Sequence, residues 1–107
     1  MFEARVGSST KMAVTGDGNA TFAGDIIPDG DIVNNTGNLS ITQNANDGAI
    51  RFNADDGSGG VAEYFRIDGS DELNKFFKNL RISDSVYTQY GTSGDFSIGH
   101  DGTNTTV

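Results

Sequence analysis

The chain is punctuated by Asp-Gly. The pair occurs six times, starting at Asp17, Asp29, Asp47, Asp56, Asp68 and Asp101. Asp tolerates left-handed backbone, and Gly has no Cβ to clash there, so the pair suits tight hairpin turns. The first five pairs stand 12, 18, 9 and 12 residues apart. Short strands with a turn every 8–12 residues or so mark an all-β chain. The segments between turns alternate as strands do. Met12 and Val14 share a parity, as do Leu39 and Ile41, Ile50 and Phe52, and Phe96, Ile98 and His100. In residues 61–67, Val61, Phe65 and Ile67 point one way and Tyr64 and Arg66 the other, with Glu63 the exception. One stretch, 71–78, reads either way. Leu73, Phe76, Phe77 and Leu80 lie at helical spacing behind a capping Ser70, while Leu80 and Ile82 align as strand. The reading we favour is strand from about residue 79.

Composition narrows the function classes. Ile, Leu, Val and Phe supply only 24 of the 107 residues, whereas Gly, Asp and Asn supply 37. Turns are therefore easy to make and long helices are not. With no Cys there is no disulfide, thiolate metal site or cysteine nucleophile. The large apolar residues stand at most two together, as at Ile26-Ile27 and Phe76-Phe77, so no membrane-inserting helix is expected. Fifteen acids against seven bases give a net charge of −8, which disfavours nucleic acid as a partner. One His and no Trp or Cys leave few catalytic side chains, and no cofactor is expected.

The chain repeats itself. Apolar–Arg–apolar triplets recur at Ile50-Arg51-Phe52, Phe65-Arg66-Ile67 and Leu80-Arg81-Ile82, with the three Arg residues 15 apart. Thr36-Gly37-Asn38-Leu39-Ser40-Ile41 echoes Ser93-Gly94-Asp95-Phe96-Ser97-Ile98. Recurring short strands bury their faces against neighbours rather than in one central core. Strands with two or three apolar residues each give a single chain too little burial to offset its conformational entropy. Several copies that pool their apolar faces would remove that difficulty and cover exposed edges.

Four segments carry a family resemblance. They are Gly18–Ile26 (GNATFAGDI), Thr36–Ile41 (TGNLSI), Asp55–Gly69 (DDGSGGVAEYFRIDG) and Ile98–Asn104 (IGHDGTN). Together they resemble repeats in tail-fibre and other virion appendage proteins of tailed bacteriophages, notably marine and cyanobacterial ones, over most of residues 18–107. The resemblance implies a structural protein on the exterior of a virion. It implies a homotrimer with an intertwined or β-prism-like shaft or knob, in which residues 1–30 are an attachment segment to other virion proteins and 31–107 one β-repeat unit. A small head decoration and a fibre tip are both consistent with so short a chain.

Candidate sites follow from residue type and position. Asp55 and Asp56, with Glu63, set carboxylates on a Gly-rich turn, as a hard cation requires. The spacing is not that of an EF-hand, and a solvated turn is the reading we favour. In a trimer, three copies of His100 would converge on an axis and hold a metal or anion; the alternative we favour is a strand-end His bonded to a turn. Arg51, Arg66 and Arg81 would form an outward ladder for anionic glycans, but the reading we favour is an ion pair of each with an Asp of an adjacent turn or chain. Tyr64, Tyr87 and Tyr90 offer flat faces on which sugars would stack, Tyr87 and Tyr90 being the better pair, although half-buried packing is the default reading for each. A glycosidase needs two carboxylates across a groove, and the chain is too short for the solenoid that usually supports one. The expectation is a non-enzymatic subunit of a phage appendage. The alternative is a distal adhesin tip that binds a receptor or host surface glycans. A free-standing bacterial adhesin is a third reading.

Overall fold

A computed structural model describes all 107 residues, Met1–Val107. The chain is all-β, as the turn spacing predicts. It divides into two units, Met1–Ser40 and Ile41–Val107. The first unit holds one antiparallel sheet of β1 (Phe2–Val6), β2 (Ser9–Val14) and β3 (Ala20–Phe22), in that order. The second holds two more. Strands β4 (Ala49–Asp55), β5 (Val61–Asp68) and β6 (Leu73–Phe76) make one, and β7 (Val86–Tyr90), β8 (Phe96–His100) and β9 (Thr105–Thr106) the other. Each sheet is an up-and-down meander, because each pair of consecutive strands is joined by a short turn. No strand of β4–β6 touches a strand of β7–β9.

Four of the six Asp-Gly pairs sit at hairpin turns, and the acid acts mainly through its side chain. Asp56 Oδ1 accepts from the Ser58 amide at 2.7 Å and the Gly60 amide at 3.1 Å. Asp101 Oδ1 accepts from the Thr103 amide at 2.8 Å and the Asn104 amide at 2.7 Å. These are Asx turns, which hold the loop by mimicking a backbone bond. Asp47 alone among the six takes left-handed backbone, with φ 59°, just before β4.

Paired positions place one apolar face on every sheet. Phe2 and Val14 pair, and Met12 lies between Ala4 and Phe22. Phe65 lies between Phe52 and Phe76. Tyr90 pairs with Phe96 and Thr88 with Ile98. None of these faces is covered, and the chain buries no apolar side chain. It exposes 9102 Å². A compact monomer of its mass would expose about 5,700 Å², and two separately compact units about 6,900 Å².

Three local expectations are corrected. First, β5 carries a bulge. Phe52 pairs with Phe65, but the next pair is Asn53 with Glu63, so Tyr64 is an extra residue. A bulge moves the residues beyond it to the other face. Glu63 thus joins Arg51 and Arg66, and Val61 leaves the face of Phe65. The exception in the alternation marked the bulge. Second, residues 79–82 are not a strand; the third strand is 73–76. The Phe77 amide donates to the carbonyl of the bulged Tyr64 at 3.0 Å, and the ladder stops there. Third, residues 36–41 form no strand although their echo at 96–98 does. Gly37 sits in a turn whose carbonyl accepts from Asn34 Nδ2 at 3.3 Å, and no second strand is paired with the segment.

Candidate functional site

The densest chemistry lies on one face of the β4–β6 sheet. Arg51 stands opposite Arg66, and Arg66 opposite Lys75, because the 15-residue repeat spans one hairpin. Three cations in a row would repel; acids fill the gaps between them. Glu63, turned inward by the bulge, accepts from Arg66 Nη2 at 2.8 Å and from Arg51 Nε at 3.3 Å. Asp68 ends β5 and is the most enclosed residue of the chain, 5 % exposed. Its Oδ2 accepts from Lys75 Nζ at 3.0 Å and Arg66 Nη1 at 3.3 Å. Its Oδ1 accepts from the Ser70 hydroxyl at 2.8 Å and the Ser70 amide at 3.1 Å. Lys75 also donates to Asp71. The guanidinium of Arg66 lies 5.2 Å from the centre of the Phe77 ring, which covers it.

The electrostatics follow from these contacts. The Lys75 ammonium, then the Ser70 hydroxyl, holds the Asp68 carboxyl well below the usual range, against a smaller opposing effect of desolvation. Arg66 lowers Glu63 in the same way, chiefly by hydrogen bonding. Asp71, then Asp68, raises Lys75. Glu63, Arg66, Asp68 and Lys75 are thus each held in the charged form by a partner. Such a cluster pins a turn and a strand end. It offers neither a free base nor a nucleophile.

The remaining candidate residues are dispersed. Tyr87 and Tyr90 stand three apart on β7 and so point to opposite faces of the sheet. Tyr87 lies across Gly99, its register partner, where an added Cβ would stand 2.2 Å from the ring. Tyr90 pairs with Phe96, with ring centres 5.4 Å apart. Tyr64 sits on the bulge; its hydroxyl donates to the Asp55 carbonyl at 2.7 Å, and Lys78 Nζ lies 5.8 Å from its ring centre. The three tyrosines therefore form no common platform. Asp55 and Asp56 direct carboxylate oxygens at the amides of Gly57 (2.8 Å) and Ser58 (2.7 Å). Glu63 has turned away to the arginines. His100 ends β8 with Nδ1 3.5 Å from the Thr105 hydroxyl. No three His, Asp or Glu side chains gather as a metal would need, and no cavity opens in either unit. Arg51 and Arg66 pair with acids, and Arg81 lies outside the sheets, so the arginines form no three-step ladder.

The sequence marks Asp68-Gly69-Ser70-Asp71 as a solvated turn and Arg66 as a partner for a nearby acid; the ion pair forms, but Asp68 is enclosed rather than solvated. The signal for the wider cluster was present in that turn followed by Lys75, but the partnership of Arg66 with Glu63 depends on the bulge. No family model matches the chain, and no curated protein or solved structure matches it.

Proposed function

We propose that the chain is a non-enzymatic structural subunit that builds or decorates an external appendage of a tailed-bacteriophage particle. It works as a homo-oligomer, and three copies is the number that its resemblance to tail-fibre repeats implies. One observation carries the reading: three sheets each present an apolar face, and none of these faces is buried within the chain. The surface left exposed beyond that of compact units is at least about 2,000 Å². Obligate interfaces bury 2,000–5,000 Å² or so between two partners. A chain with two such neighbours would take up the excess. Its negative charge would keep the particle soluble and limit non-specific adhesion.

The test is to locate the chain in the particle. A map of the virion should place it at symmetric external sites with its apolar sheet faces inside contacts between chains. A protein that never co-purifies with particles would remove the viral part of the reading.

The receptor-tip alternative draws on the exposed aromatics of the β7–β9 sheet, the Tyr90–Phe96 pair on one face, with Tyr90 54 % exposed, and Tyr87 on the other, 42 % exposed. Purified protein would then compete with the virus for host cells. Tyr87→Ala would abolish that competition without changing the oligomer; unchanged competition would reject Tyr87 as a binding residue.

A further inference from the structure

We infer that the uncharged face of the β4–β6 sheet is where copies of this chain meet. The inference rests on the reading of the chain as a self-assembling subunit and names its contact surface. The face is built from Ile50, Phe52, Phe65, Ile67 and Phe76, with Asn74 its one polar side chain. Across three strands the phenylalanines make a continuous row. Phe52 and Phe65 have ring centres 5.5 Å apart, and Phe65 and Phe76 4.7 Å apart. The outer members stay open, Phe52 at 46 % and Phe76 at 56 % exposure.

Two observations point to a second copy as the occupant. The first is area. The excess exposed surface, taken over the whole chain, is of the size each chain contributes to obligate interfaces, and the phenylalanine row is its most continuous apolar part. The second is charge. A chain of net charge −8 repels its own copies. On this sheet all the charged residues within the strands' paired registers lie on the opposite face or at its rim, and the cluster around Asp68 ties most of them to one another. The phenylalanine face carries no ionisable group, so like-charged copies can approach through it. The bulge at Tyr64 produces this segregation, since without it Glu63 would fall on the phenylalanine side.

The test introduces charge on each side of the sheet. Phe76→Glu and Phe52→Glu alter the proposed contact; Val61→Glu alters a position that the bulge turns to the other face. Native mass is read by light scattering, and strand content by circular dichroism. Wild type and Val61→Glu should keep the assembled mass, while both face variants fall to the 11.3 kDa of one chain with their strands retained. A label covers the case in which a face variant loses its strands. The chain has no cysteine. Pyrene attached through Asn74→Cys should give excimer emission in the assembly, and pyrene attached through Val61→Cys should not. An assembly that survives Phe76→Glu, with no excimer from position 74, overturns the contact surface and leaves self-assembly standing. A monomeric wild type overturns both.

Discussion

The β4–β6 and β7–β9 sheets share a strand plan and differ in how each fills its second face. Both are three-stranded meanders with an exposed apolar side. Behind its phenylalanines, β4–β6 carries the ionic cluster centred on Asp68. Behind Tyr90, Phe96 and Ile98, β7–β9 carries Tyr87, Gln89, Ser97 and Gly99, and no residue of its strands enters an ion pair. There the Tyr87 ring fills the space over Gly99, a neutral device with the same effect of joining neighbouring strands. The lesson is that the apolar faces are the common element. The opposite faces differ, and each supplies its own cross-strand contacts.

Phe65→Ala should have the largest effect, because it removes the centre of the aromatic row. If assembly buries the row, denaturant unfolding will show a loss of about 3–5 kcal/mol. A loss near 1 kcal/mol would mean that the row remains wet. Gly69→Ala comes next. Its Cβ would lie 2.4 Å from the Gly48 carbonyl oxygen, a backbone atom that also accepts from the Gly69 amide. Overpacking of this kind costs about 1–3 kcal/mol. The β4–β5 pairing should loosen first, seen as faster amide exchange at Ile50 and Ile67 while β7–β9 is unchanged.

Acid should separate the two sheets. The folded-state pKa values of Asp68 and Glu63 are depressed. Their contribution is present above the ordinary carboxylate range and is lost as pH falls through and below about 4. Amide protection in β4–β6 should therefore fall on acidification more steeply than in β7, whose sheet has a depressed acid only in its β8–β9 turn, at Asp101. Asp68→Asn should flatten that difference; equal acid sensitivity in wild type would contradict the assigned role of the cluster. The smallest change is expected of Tyr87→Ala, about 0.5–1 kcal/mol, confined to β7–β9. It is read as faster exchange at Thr88 and Gln89 with β4–β6 unaffected.

Much of this was legible in the residues. Asp56-Gly57 and Asp68-Gly69 marked the turns that close β4–β5 and β5–β6, and Ile50, Phe52, Phe65 and Ile67 marked the apolar face. Two things were not legible. A strand exists only with a partner, so TGNLSI at 36–41 and its echo ending at Ile98 read alike, although only the second has a strand beside it. A bulge shifts every later residue by one position, so the grouping of Glu63 with Arg51 and Arg66 required the register. The tyrosines shared a composition argument but not a location, since Tyr87 and Tyr90 stand an odd number of residues apart on one strand.

The central claim is that one chain cannot bury its own apolar faces and needs copies of itself to do so. Sedimentation equilibrium on dilute protein in native buffer tests it most directly. The account predicts a stable multiple of 11.3 kDa, three-fold if the family resemblance holds, that melts as one unit. A single 11.3 kDa species with a sharp cooperative transition of its own would contradict it.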